Sequence, residues 1–194
     1  VGMCDCIVQR LSYTGDLGYE IYADAMDQRS LWHTLWTAGQ KHGMRPFGMR
    51  AMMSLRLDKF FGSWLSEFSP DYTPAETGMD RFVAFNKRAD FIGRAAVEGE
   101  RQSGAGRKLV VFEVDADDAD AVGYEPVWID GQVKGFCTSG GYSHYAQKSL
   151  ALALVDSKSL SDQLEASIEI LGDMRSAKRI HQALFDATGE RMRG

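Results

Sequence analysis

At 194 residues, 44% hydrophobic and 25% charged, the chain has the composition of an ordinary soluble globular protein, long enough for one large domain or two small ones with real cores. A net charge of −5 leaves no electrostatic footprint for nucleic acid, and no apolar run approaches the roughly 20 residues that span a bilayer, so neither is expected as a partner. Cys4, Cys6 and Cys137 are too few and too irregular for a disulfide framework, which fits a reducing, cytoplasmic setting, and no His or Cys cluster beside them predicts a metal site.

The chain begins at Val1 with no basic-then-apolar leader and enters a strand pattern almost at once, as expected of a cut inside a larger protein. Residues 5–11 alternate as a strand, with Cys4 and Cys6 on one face. The glycines of Tyr13-Thr-Gly-Asp-Leu-Gly18 turn the chain into a second strand, residues 19–23. Glu20 lies between Tyr19 and Ile21, and successive strand residues point to opposite faces. Glu20 therefore faces either water or a cleft. In a cleft it is a carboxylate on a rigid strand, able to accept paired N–H donors from a flat heterocycle.

Asp24 or Asp27 is placed to cap a helix running to about His42, with Leu31, Leu35 and Ala38 and the pair Trp32 and Trp36 recurring at helical spacing. Gly43 is placed to close it. Pro46 suits the first position of a further helix that runs through Leu57 and carries Arg50 and Arg56 on an otherwise apolar, methionine-rich surface. Arg56 is either a surface ion-pair residue or a cleft cation. Residues 60–69 are aromatic and glycine-containing and predict no regular structure. Thr73-Pro-Ala-Glu76 reads as a capping box, residues 81–86 as a strand, and residues 90–102 as a helix.

Ser103-Gly-Ala-Gly106 marks a domain boundary, which divides the chain into residues 1–103 and 107–194. Beyond it the pattern is mostly strand. Residues 108–114 are strongly β-prone, and the acidic stretch 115–121 lacks the glycine and terminal Glu of a calcium loop. Asp130-Gly131 predicts a hairpin turn, Thr138-Ser-Gly-Gly141 an interruption or bulge, and residues 149–155, 164–171 and 177–183 complete a small antiparallel barrel or sandwich. The charged last residues are expected to fray. The fold class is thus α+β followed by a β domain. No G-x-S-x-G, H-E-x-x-H or P-loop pattern occurs, Gly15-Asp-Leu-Gly18 is too short for a dinucleotide fingerprint, and His33, His42, His144 and His181 are scattered. The residues alone offer one candidate cleft, lined by Tyr13, Glu20 and Arg56.

Tyr13-Thr-Gly-Asp-Leu-Gly-Tyr-Glu20 closely resembles the Y-T-G-E-x-G-x-E motif of the aminomethyltransferase family, the glycine-cleavage T-protein fold. Gly48-Met-Arg-Ala-Met-Met-Ser-Leu-Arg-Leu-Asp-Lys59, Thr73-Pro-Ala-Glu-Thr-Gly78 and Asp90-Phe-Ile-Gly-Arg94 are similar to further family segments. Gly131 to Ala153, with Thr138-Ser-Gly140 and Leu150-Ala-Leu152, is similar to its C-terminal barrel signature. Within the family the S-L-R-L-[DE]-K version most resembles the C-terminal halves of dimethylglycine and sarcosine dehydrogenases. The resemblance implies a ferredoxin-like, T-protein-type α+β portion ahead of the barrel. It implies tetrahydrofolate as cofactor, a small N-methylated amine as substrate, and FAD only in an upstream flavin domain. Tyr13 and Glu20 fall on folate-contacting positions, Glu20 being the expected partner of the pterin N–H groups. A family arginine four residues before that of S-L-R is Met52 here, so the resemblance implies a pterin contact either lost or replaced by Arg50 or Arg56. The family's catalytic aspartate is expected outside this chain, so no catalytic residue is assigned. The resemblance leaves as alternatives a non-catalytic regulatory or assembly module and a folate-dependent demethylase.

Overall fold

The computed structural model describes residues 1–161 and 164–194. Strands β1 (Cys6–Gln9) and β2 (Glu20–Ala23) pair antiparallel with Gln9 opposite Glu20 and Ile7 opposite Tyr22. The Leu11 N–H donates to Gly18 O at 3.1 Å and closes the turn between them. Cys4 lies before the strand and is buried, its thiol directed at Asp27 O, so the two early cysteines do not share a strand face. A 3-10 turn over Ala25–Asp27 leads into α1 (Gln28–Gln40), and neither Asp24 nor Asp27 makes a side-chain cap bond. Gly43 does close the helix: its N–H reaches Gln40 O and the Met44 N–H reaches Gly39 O, the paired bonds of a Schellman ending. No residue of α1 is fully buried, and Trp32 and Trp36 stack on each other at 5.5 Å.

Helix α2 (Met49–Asp58) starts three residues later than Pro46 suggests, capped by Gly48 in extended backbone. Only its last turn is buried, through Arg56, Leu57 and Asp58. The short helix α3 (Pro74–Thr77) carries the expected capping box, Thr73 accepting from the Glu76 N–H while the Glu76 side chain accepts from the Thr73 N–H. Glu76 also accepts from Arg107 at 2.9 Å, and the Thr73 hydroxyl donates to Glu100 at 2.8 Å, so this cap ties neighbouring elements together. The strand expected over residues 81–86 is absent. Asp80–Phe82 form a 3-10 turn, and the guanidinium of Arg94 takes up the Phe85 and Lys87 carbonyls that a sheet partner would have used. Helix α4 runs over Arg94–Ser103, beginning after Gly93 rather than at Asp90.

Six strands then close into an antiparallel barrel: β3 (Arg107–Val114), β4 (Pro126–Ile129), β5 (Gln132–Ser143), β6 (Lys148–Asp156), β7 (Ala166–Ile170) and β8 (Asp173–Ile180), in the order β3-β6-β5-β4-β7-β8. Closure leaves no unpaired sheet edge. Asp130 and Gly131 both have positive φ, +50° and +72°, as the two-residue hairpin requires. The expected interruption at residues 138–141 is a bulge between Cys137 and Ser139 within a continuous β5. Strand β6 is buried on both faces, with small Ala151, Ala153 and Val155 inward and Leu150 and Leu152 outward. Phe112, Val127, Ile168 and Cys137 fill the barrel interior with the small inward residues of β6. The outward leucines pack with Val111 on Leu57 of α2 and on Leu184 beyond β8. The C-terminal residues do not fray. Leu184 and Phe185 donate their N–H groups to Asp58 O, and a last short helix, α5 (Glu190–Arg193), returns to the first strand through Arg10 and Arg193 O at 2.6 Å.

Candidate functional site

The turn after β1 sets the first wall. Ser12 Oγ accepts the Gly15 N–H at 3.0 Å, and Gly15, at φ +93°, packs against the stem of Lys59 and the ring of Phe185. Two residues earlier, Tyr13 lies half-buried, its hydroxyl donating to Gly62 O at 3.1 Å and its ring parallel to Phe61 at 6.5 Å. Glu20 follows on β2. Across-strand pairing puts it on one face with Ile7, Gln9 and Tyr22, while Val8 and Ile21 occupy the other. Ile21 lines a groove with Leu31, Trp32 and Leu35 of α1. The Glu20 face is open: Ile7 is 65% and Tyr22 51% exposed. The Tyr22 hydroxyl donates to the Glu20 carboxylate, and this bond holds the Tyr22 phenol above its usual pKa. No lysine or arginine pairs with Glu20 among the described residues.

The two arginines part company. Arg50 stands exposed in the first turn of α2 and makes no side-chain hydrogen bond with the described residues. Arg56 is 1% exposed and belongs to the interior. Its Nη1 donates to Phe61 O at 2.9 Å and lies 3.4 Å from Glu67 Oε2. Tyr13 and Arg56 therefore meet the same loop, residues 60–67, at adjacent carbonyls, half-buried Tyr13 at Gly62 O and buried Arg56 at Phe61 O. Glu20 and Arg50 have no hydrogen bond to that loop.

Three buried polar residues carry no sequence expectation. Glu67 is 0% exposed and accepts from the Ser63 N–H at 2.6 Å, the Ser66 hydroxyl at 2.7 Å and the Ser139 hydroxyl at 2.5 Å. Burial pushes its carboxyl up, but the donors, Ser139 and the Ser63 amide foremost, outweigh burial and hold it below the usual range. Asp58 goes the other way: burial raises its pKa, and Ser143 and His144 only partly offset that. Ser139 matters because the bulge in β5 aims it at Glu67. An arginine in an otherwise apolar helix is a sequence signal for Arg56, but nothing in the sequence pairs it with Glu67. Among the described residues no group of three His, Cys, Asp or Glu side chains is arranged to hold a metal, and no helix is long and apolar enough to cross a membrane. A separate concavity of about 860 Å³ opens at one end of the barrel between Glu113, Lys148, Arg175 and Lys178, and none of Tyr13, Glu20, Arg50 or Arg56 lines it.

Residues 1–87 match the family model of the GCVT N-terminal domain, and residues 107–186 match that of the glycine cleavage T-protein C-terminal barrel domain. The chain is 41% identical over 175 residues to a mitochondrial dimethylglycine dehydrogenase of Mus musculus, covering 90% of this chain and 20% of that protein. It is 38% identical over 164 residues to an aminomethyltransferase of Bacillus cereus, covering 84% of this chain and 44% of the relative. The glycine cleavage system aminomethyltransferase T of Bartonella henselae superposes with a TM-score of 0.80 at 25% identity, over 93% of this chain and 50% of that one. The chain thus spans a fifth of the dehydrogenase and about half of the aminomethyltransferases.

Proposed function

Because the chain belongs to the aminomethyltransferase, or glycine-cleavage T-protein, family, we propose that it supplies one wall of a tetrahydrofolate site for one-carbon transfer, as part of a longer N-methylamine dehydrogenase-like protein. The observation that carries this reading is Glu20: a carboxylate on the open face of a strand, oriented by Tyr22 and paired with no cation among the described residues. Tyr22 occupies one oxygen, and the remaining lone pairs suit the paired N–H edge of a pterin. Tyr13, backed by Phe61 and anchored to Gly62 O, offers a flat, rigid flank to the same ligand. When bound, tetrahydrofolate would supply the nitrogens that accept the one-carbon unit. The protein's own contribution is orientation, which removes the entropy of bringing the two reactants together. Arg50 stands free to take the role that Met52 cannot, whereas Arg56 acts from beneath the loop.

Similarity to a dimethylglycine dehydrogenase supports dimethylglycine or a similar N-methylated amine as the source of the carbon. Flavin is assigned to another domain of the longer protein. The Gly15–Gly18 segment joins two strands and packs on Lys59, so it opens no helix on which a dinucleotide pyrophosphate would rest. Met52 in place of the family arginine supports a second reading, a non-catalytic regulatory or assembly module of the same fold. Calorimetric titration with tetrahydrofolate separates the two. Under the folate reading Glu20→Gln weakens binding by about 1–3 kcal/mol, the cost of leaving a polar partner unpaired. Binding by the longer protein that is unchanged by that substitution, or absent without it, favours the module.

A further inference from the structure

We propose that Glu67 is a positioning residue: it fixes the Tyr13 wall through the Gly62 peptide and ties that wall to the barrel. The inference rests on the folate reading above. Tyr13 touches the loop at Gly62 O and at the Phe61 ring. Both backbone neighbours of that contact are pinned from inside. The Phe61 carbonyl is held by Arg56 at 2.9 Å, and the Ser63 N–H is held by Glu67 at 2.6 Å. Arg56 and Glu67 face each other at 3.4 Å, at 1% and 0% side-chain exposure. Gly62 itself has no room to drift, since a Cβ there would lie 2.8 Å from Glu67 Cβ and 2.6 Å from the Phe68 ring.

The second oxygen of Glu67 accepts from Ser139, on the bulge of β5. One buried carboxylate thus joins the loop beneath Tyr13 to a barrel strand 72 positions away in sequence. Charge-assisted bonds of this kind are short and directional, and in a dry site they resist displacement. The position of the Tyr13 ring is then set by the register of a barrel strand, not by the β1–β2 turn alone. This gives the barrel a part in ligand recognition without placing any barrel atom against the ligand.

The test is a double-mutant cycle in the longer protein, read by calorimetric titration with tetrahydrofolate. Ser139→Ala removes only the barrel end of the tether. Tyr13→Phe keeps the ring and cuts its bond to Gly62. Ser139→Ala is expected to weaken binding roughly tenfold in the parent background, the worth of one charge-assisted bond, and much less in the Tyr13→Phe background. Amide exchange at Ser63 should quicken in parallel. Glu67→Gln should act in the same direction. A residue that merely stabilises the fold would lower the denaturation midpoint and leave the two affinity losses additive. Additive losses, or no loss on Ser139→Ala in a parent that binds, overturn the positioning role alone. A parent that binds no tetrahydrofolate overturns the folate reading and this role with it.

Discussion

Gly15 holds a backbone conformation that a side chain would strain, φ +93°, and a Cβ there would come within 2.6 Å of Lys59 Cγ and 3.0 Å of the Phe185 ring. Lys59 has little freedom to give way. It is 7% exposed, and its ammonium donates to the Asp186 carbonyl and faces the Asp186 carboxylate. Gly15→Ala therefore combines backbone strain with displacement of a buried cation and is expected to cost about 1–3 kcal/mol, measured as a lower urea midpoint at unchanged slope. The adjacent Asp16–Arg191 pair is exposed on both sides, so its removal serves as a control expected to leave the midpoint almost unchanged. At this scale the strand face of Glu20 was legible, because alternation along a strand fixes it. Glu67 was not. Its donors at Ser63 and Ser66 are local, but its burial and its bond to Ser139 come from the barrel, and nothing in residues 60–69 announces a partner so distant in sequence.

Between the two halves of the protein, the last turn of α2 bears the contact. Leu57 is 1% exposed and sits among Val111, Leu150 and Leu152, the outward side chains of β3 and β6. Helix α1, by contrast, buries nothing completely. Leu57→Ala should cost about 2–5 kcal/mol, the range for a large core side chain whose cavity cannot collapse, whereas truncating half-buried Leu35 should cost clearly less. Denaturant unfolding of the two variants measures the difference. Most elements were legible because their periodicity is strong. The β-prone run of β3, the Asp-Gly hairpin and the Thr73 capping box all appear where the sequence puts them. The exception is instructive: residues 81–86 have strand composition but no strand neighbour, and Arg94 supplies the missing hydrogen bonds instead. Strand propensity reflects fit to a half-buried pleated surface, and where no such surface exists the preference has nothing to act on. The bulge at Cys137 and Ser139 was legible as an irregularity; its purpose was not, since that depends on what faces it.

At the scale of the whole molecule, two of the buried carboxylates, Glu67 and Asp58, flank the junction of α2 with the barrel and respond to acid in opposite senses. Glu67 is held below the usual carboxylate range, burial being outweighed by Ser139 and the Ser63 amide. A depressed folded-state pKa contributes stability that is complete above the unfolded value and is lost as pH falls through the folded one. Asp58 is raised by burial, at the end of α2 where the helix dipole also disfavours a negative charge. A raised folded-state pKa contributes stability that is complete below the unfolded value and is lost as pH rises through the folded one. The stability of the junction should therefore decline at both ends, through Glu67 in acid and through Asp58 as the pH climbs above the ordinary carboxylate range. Two neutral substitutions separate these limbs. Glu67→Gln should lower stability near neutral pH and flatten the acid limb, because the lost charge can no longer be titrated. Asp58→Asn should leave the acid limb in place and flatten the decline above it, with stability near neutral pH equal to or above that of the parent. Urea midpoints recorded between about pH 3 and pH 8 give both limbs. An unchanged acid limb in Glu67→Gln would mean that the loop under Tyr13 is held to the barrel by packing at Leu57 rather than by the buried charge.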